Sequence, residues 1–302
     1  MSELFQHRGC PACGADRPKE EMHSEQRAEA MTLDALRPYW SGLFKEKVFF
    51  SYARCPSCGL LFAPTFFTGP QLGELYSAMA PNMELVPTDA LDATQRGYWD
   101  IAKQEGPLDG GYLEIGPDIG FIVRLAAEQG SFDHFWLVEP NRLVHAPLAA
   151  ATGGRPHDII TDMDDLSPVP DGSVGLAVMV HVLDHLLDPL ASLKNIRRKL
   201  KPGGRLVIVT HNEASVLRTA MRRKWPPFCL QHPQLFNPDS ITDLARRVGY
   251  STVTVERSKN YFPIAFMAQQ AAYTVGLDIS KVPLPTTAIG LKLGNMITVA
   301  QR

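Results

Sequence analysis

The sequence predicts an α/β fold, a parallel sheet flanked by helices, preceded by a small ribbon built on two cysteine knuckles. Three observations predict it. From residue 111 onward, short apolar runs alternate with helical stretches, as expected of strands buried on both faces between helices. Ahead of them, Cys10-Pro-Ala-Cys13-Gly and Cys55-Pro-Ser-Cys58-Gly are near copies of one another. The chain has 302 residues, 45% of them apolar, enough for one large core and a smaller second unit.

The knuckles come first. A Cys-x-x-Cys turn followed by glycine aims two thiolates at one point, and two such turns supply the four soft ligands of a tetrahedral structural zinc: Cys10, Cys13, Cys55 and Cys58. Two disulfides would need an oxidising compartment, and a redox dithiol would need only one pair. Between the knuckles, residues 19–47 are expected to form an inserted helical segment. The run 48–63, VFFSYARCPSCGLLFA, has strand composition, and Pro64, Gly69 and Pro70 then punctuate the chain. The ribbon domain is therefore placed at 1–68. Residues 71–105 read as helical, with Leu72, Leu75, Tyr76 and Met79 on one face and Tyr98, Trp99 and Ile101 further on. They form a helical connector, 69–108. Cys229 stands apart from the pairs and reads as a small buried apolar residue.

The third domain is placed at 109–302. Its strands are GYLEIG (111–116), HFWLVEP (134–140), a short HDIITD (157–162), VGLAVMV (174–180) and RLVIVTHN (205–212). Between the last two, Asp188-Pro189 is an N-cap and first-turn pair. Leu190, Leu193, Ile196 and Leu200 then repeat at helical spacing up to Lys201-Pro202-Gly203-Gly204. That is a crossover between parallel strands. Another helix is expected over 238–248, opened by Asp239-Ser240 and closed by Gly249, followed by the strand STVTVE. An apolar helix over 262–277 and a final strand, NMITVAQR, complete the chain.

In open α/β sheets a ligand sits at the carboxyl ends of the strands, which draws attention to the first turn, LEIGPDIG at 113–120. Gly116 lets the backbone turn tightly, and Gly120 lets a helix beginning near Ile119 start close to it. The dinucleotide fingerprint does not fit, because Asp118 and Phe121 occupy its second and third glycine positions. A pyrophosphate would meet an acid, so the turn suits a cofactor without phosphates that carries positive charge. Glu139, at the end of the second strand and about 20 residues after the turn, is placed to hold both hydroxyls of a ribose.

These residues resemble the class I S-adenosylmethionine-dependent methyltransferases over roughly 108–302. LEIGPDIG, with Glu114, Gly116, Pro117, Asp118 and Gly120, looks like their first motif, and Glu139 like their ribose-binding acid. Asp162-Met163-Asp164-Asp165-Leu166 is similar to the segment that contacts adenine. VMVHVLDHLLDP (178–189), which holds His181 and His185, is similar to the motif after the fourth strand, and LKPGGRLVIV to the start of the fifth. The resemblance implies a Rossmann-like seven-stranded domain that binds S-adenosylmethionine through these residues. Pro117 and Asp118 depart from the family, leaving a stiffer loop with one N–H donor fewer. The knuckles ahead of such a domain resemble those of the nucleotide-sugar C-methyltransferases. The late-loop tyrosine, acid and histidine of those enzymes match Cys229, Gln231 and His232 here, so only the histidine is kept. The resemblance implies His232 as the base. His185 is the second candidate, with His181 and Asp184 beside it and His211 ending the fifth strand.

A net charge of -2 and a pI near 6.5 provide no attraction to phosphate backbones, so nucleic acid is not expected as a partner. No secretory leader or membrane-length apolar run is read, and a cytoplasmic location is expected. The expected function is methyl transfer to a small-molecule acceptor of sugar or natural-product type. Two alternatives stand beside it. One is an RNA or protein methyltransferase whose ribbon recognises the macromolecule. The other is a non-catalytic module of the same fold. The acceptor atom and the oligomeric state are left open.

Overall fold

The computed structural model describes residues 5–40, 47–77, 87–274, 277–279 and 282–302. Two compact units are present. One comprises Met1–Thr94, Asn212–Phe236 and Lys259–Gly294, and the other Gln95–His211, Asn237–Ser258 and Asn295–Arg302. Beside the boundaries 1–68, 69–108 and 109–302 expected from the sequence, these units are interleaved along the chain. The reason is long-range pairing: Gln234–Leu235 adds antiparallel to Leu61–Phe62, a contact that local composition does not encode.

The first unit carries a four-stranded antiparallel sheet, ordered Lys19–Met22, Tyr52–Arg54, Leu61–Phe62 and Gln234–Leu235. The segment 19–47 therefore opens as a strand, contrary to its helical expectation. Its helices are short, Leu33–Leu36 flanked by the 3-10 turns Ala28–Ala30 and Arg37–Tyr39, and 41–46 lie outside the described residues. Lys19, Glu20 and Glu21 are exposed, which suits an outer strand of the sheet better than a buried helix face. An aromatic cluster fills the interior, with Phe50 making edge-to-face contacts to Phe5 and Phe67 at 5.0 and 4.9 Å. Arg54 is held between Glu21 (2.7 Å) and Glu213 (2.5 Å). The helical stretch 71–105 appears as Gly69–Ser77 and Thr88–Ala102. Met79 falls outside the described residues.

The second unit is built on a seven-stranded sheet. Its strands are β1 (Asp109–Ile115), β2 (Ser131–Val138), β3 (His157–Ile160), β4 (Val174–Val180), β5 (Leu200–His211), β6 (Thr252–Arg257) and β7 (Asn295–Gln301), in spatial order β3-β2-β1-β4-β5-β7-β6. The first five are parallel to one another, and β7 runs antiparallel to both β5 and β6. Helices α1 (Phe121–Gln129), α2 (His145–Ala151), α3 (Pro189–Lys199) and α4 (Pro238–Val248) connect them. The core joins Tyr112, Phe135, Leu176, Val178, Val207 and Val299 with Ile122, Val123 and Leu125 of α1.

The ends of these elements follow local chemistry. Asp188 caps α3 by accepting from the Ala191 N–H at 2.8 Å, with Pro189 at the first turn. Helix α3 ends at Lys199, and the Lys-Pro-Gly-Gly run that was expected to stop it already belongs to β5. Helix α4 is capped by Asn237, one position before Pro238, and Ser240 completes a capping box, so Asp239-Ser240 lie inside the helix. Helix α1 starts at Phe121, after a left-handed Gly120, two residues later than expected. The buried Arg205 of β5 donates to the carbonyls of Ala102, Gly106 and Pro107, satisfying the end of the helix and turn that lead into β1. The apolar helix is Ile264–Thr274, preceded by a strand Asn260–Pro263 that pairs with Ala288–Leu291 in the first unit.

Candidate functional site

The two knuckles fold as matched turns. Gly14 N–H donates to Cys10 O at 2.8 Å and Gly59 N–H to Cys55 O at 3.0 Å, with both glycines left-handed at φ 71 and 70°. The four sulfurs lie within 4.8 Å of one another, Cys10 to Cys58 and Cys13 to Cys55 each at 3.5 Å. That spacing is far beyond a sulfur–sulfur bond and matches the edge of a tetrahedral thiolate set, so the donor set fits zinc. No disulfide joins any of the four.

At the other candidate site, β1 ends in a turn whose backbone is left-handed three times within five residues: Gly116 at φ 68°, Asp118 at 52° and Gly120 at 82°. Asp118 thus takes the conformation that a glycine would hold most cheaply. A Cβ on Gly116 would lie 2.6 Å from Val182 Cγ2, and one on Gly120 would lie 2.8 Å from Ala151 Cβ. Both positions need glycine for space as well as for dihedral. Gly120 N–H closes the turn on Pro117 O at 2.9 Å.

Glu139 ends β2 and pins this turn. Its Oε2 accepts from the Asp118 N–H at 3.0 Å and its Oε1 from the Asn141 N–H at 2.8 Å. Each oxygen keeps a second lone pair with which to receive a hydroxyl hydrogen. Burial raises the Glu139 pKa, against the pull of those two amides. Asp118 is raised by burial as well. Glu114, 3% exposed, is pushed up to about 8 by burial, while the Tyr112 hydroxyl donates to its Oε2. The carboxylates of Asp118 and Glu139 at one turn repel a phosphate and favour a cationic ligand.

A cleft of about 290 Å³ in the same unit is lined by Ile115 at the end of β1, Met163, Asp164, Leu166 and Met179 of β4. Met163 therefore faces this cleft together with Asp164, whereas Asp162 is exposed and turns its carboxylate back to the Asp164 N–H at 2.9 Å.

The histidines separate by unit. His232 sits in the first, 6% exposed, with Nδ1 2.7 Å from Pro227 O and 3.3 Å from Cys229 Sγ, and its carbonyl accepts from the Tyr52 hydroxyl at 2.7 Å. His181 and His185 are in the second, with the cofactor-type turn. His181 follows β4 with φ 53°, and His185 ends the 3-10 turn Leu183–His185. His211, which the sequence places at the end of the fifth strand without a role, closes β5. Its ring meets that of His181 at 4.6 Å, and its Nδ1 lies 2.7 Å from Oδ2 of the fully buried Asp184. An acid in the segment after β4 and a histidine closing β5 were the signal available in the sequence.

The chain is similar to known proteins in family and in fold. A sequence family described as a methyltransferase domain matches residues 89–255. An uncharacterised methyltransferase of Mycobacterium sp. (strain JLS) is 31% identical over 111 residues, which span 36% of this chain and 42% of that protein. The chain thus matches less than half the length of that curated relative. Among solved structures, the YcgJ protein of Bacillus subtilis superposes with a TM-score of 0.50 at 14% identity, over 68% of this chain and 98% of that one. A SAM dependent methyltransferase from Archaeoglobus fulgidus gives 0.49 at 16% identity, over 72% and 95%. At those identities the likeness speaks to the fold alone.

Proposed function

Because the chain belongs to the methyltransferase-domain family, we propose that it transfers the methyl group of S-adenosylmethionine to a small-molecule acceptor, with a structural zinc in its ribbon. The observation that carries the cofactor assignment is Glu139: one carboxylate holds the glycine turn at Asp118 and still offers a lone pair on each oxygen. When bound, S-adenosylmethionine supplies the methyl group as a cation equivalent, the carbon–sulfur electron pair staying with sulfur. Around it, Glu139 would hold the ribose hydroxyls and Asp118 would give the turn its affinity for positive charge, while Glu114 stays buried with the Tyr112 hydroxyl. Met163 and Asp164 would face the adenine from the cleft.

The small-molecule reading is supported by the near-neutral charge, since a macromolecular acid substrate would call for a basic field. Among the described residues no helix is long and apolar enough to cross a membrane. Of the histidines expected from the sequence, His185 is proposed to approach the acceptor from within the second unit. His232 remains a proposed acceptor contact on the strength of the late-loop resemblance.

Calorimetry of S-adenosylhomocysteine with zinc-loaded protein tests the cofactor site. Micromolar binding weakened at least tenfold in Glu139→Ala is expected. No binding to folded, zinc-loaded protein would instead make the chain a non-catalytic module of this fold.

A further inference from the structure

We propose that His211 is the base that takes the acceptor's proton, and that Asp184 is the residue that positions it. This inference rests on the methyl-transfer reading and adds to it a proton acceptor that neither motif nor family match assigns.

The argument begins with register. Strands β4 and β5 pair in parallel with Val180 opposite Val209, and the His181 N–H donates to Val209 O at 2.9 Å. Two strands therefore finish side by side, and the residues just beyond, His181 and His211, bring their rings to 4.6 Å at an interplanar angle of 39°. The carboxyl ends of adjacent parallel strands are where an α/β sheet presents groups to a ligand.

The second step is the tautomer. Asp184 is 0% exposed, and its Oδ2 lies 2.7 Å from His211 Nδ1 and 3.0 Å from the His211 backbone N–H. A carboxylate oxygen only accepts, so Nδ1 must carry the hydrogen it donates, and the imidazole lone pair then resides on Nε2. Two bonds from one residue to one buried oxygen fix both the ring and the backbone beneath it. The His211 side chain is 21% exposed, which leaves it reachable from solvent. His181 is oriented in turn, its Nε2 3.3 Å from the Asn295 amide, and holds an unusual φ of 53°. Backbone strain of that kind persists where surrounding contacts enforce it.

The chemistry follows. As the bond from acceptor to methyl carbon forms and the carbon–sulfur bond breaks, its electron pair staying on sulfur, the acceptor's proton passes to Nε2 of His211. The imidazolium so created faces the Asp184 carboxylate, which stabilises it without taking the proton. The proton leaves to water once product departs, restoring the neutral ring.

Diethyl pyrocarbonate, which modifies unprotonated imidazole nitrogen, tests this on the zinc-loaded chain with modified histidines mapped by mass. Sinefungin, an amine analogue of the methyl donor, serves as the shielding ligand. His211 should be modified, and sinefungin should slow its modification at least tenfold. In Asp184→Asn the midpoint of the rate–pH profile for His211 should fall by about one unit or more, because the ring loses an adjacent negative charge. Nitrogen NMR of the wild type should show the Nδ1–H form. These wild-type measurements decide the matter should Asp184→Asn fail to fold. With any acceptor that is turned over, His211→Asn should lower kcat by about a hundredfold or more with little change in KM.

Sinefungin binding without protection of His211, or an Nε2–H tautomer in the wild type, overturns the base while leaving the transferase reading intact. Absence of sinefungin binding refutes the transferase reading and the base with it. A second zinc per chain that His211→Ala removes would make the cluster a metal site and overturn the proposal.

Discussion

Glu114 provides the sharpest test of the electrostatics at the turn. It is 3% exposed at the end of β1, and burial pushes its pKa from an ordinary 4.5 up to about 8. An acid that holds its proton more tightly when folded favours the folded state fully below about pH 4.5, and that contribution is lost as the pH rises through about 8. At about 1.4 kcal/mol per unit, the gap bounds the effect at about 5 kcal/mol. Local relaxation and water entry reduce such penalties, so about 2–3 kcal/mol is expected. Glu114→Gln imitates the protonated acid and can still accept from the Tyr112 hydroxyl. Urea unfolding of both proteins at intervals from pH 5 to 9 should show nearly equal stability at the acid end. At the alkaline end the variant should be more stable by about 2–3 kcal/mol. Asp118 and Glu139, raised in the same direction, contribute to the slope of each protein, and the difference retains only Glu114 and its coupling to Glu139. A difference that stays constant across the range would refute the claim that Glu114 is buried as a neutral acid.

Three further outcomes are expected. Gly120→Ala places a methyl 2.8 Å from Ala151 Cβ at φ 82°, so it should cost about 2–4 kcal/mol by thermal melting and weaken S-adenosylhomocysteine binding, whereas Gly153→Ala, in open space, should show only the smaller dihedral cost. Arg205→Met keeps the aliphatic packing but strips the hydrogen-bond partner from three carbonyls, and should cost about 2–4 kcal/mol in urea midpoint without changing cofactor affinity in the folded protein. If the four cysteines hold zinc as proposed, removing it with a chelator, or replacing Cys58 with serine, should release one equivalent of metal and lower the melting temperature of the first unit, because the bound ion would tie its two knuckles together. An unchanged melting curve in metal-free protein would refute that role.

Legibility in the sequence tracked the range of the interaction. Strand β4 was read to the residue, because an uninterrupted VGLAVMV run between turn signals has few other homes. Asp188-Pro189 and Gly249 marked helix ends through caps formed with immediate neighbours. The segment 19–47 was misjudged because its first strand exists only through pairing with Tyr52–Arg54. The place of Asp118 was legible as a departure from pattern, while its left-handed backbone and its bond to Glu139, 21 residues away, were not. His232 drew attention through motif position alone. His211 was visible only as a histidine ending the fifth strand, without a role, because its significance lies in Asp184, 27 residues away on another strand's extension.

By itself the sequence determined the knuckles, the order of strands and helices in the seven-stranded unit, and the glycine turn with its acid one strand later. These depend on φ preferences, side-chain period and residue spacing, which a short stretch carries within itself. Only the tertiary structure decided that Gln234–Leu235 and Ala288–Leu291 fold with the first unit, and that three carboxyls share the space around one turn. It also decided that Asp184 meets His211. Those facts depend on strand register and on burial in a common core, which arise when distant segments displace water from one another.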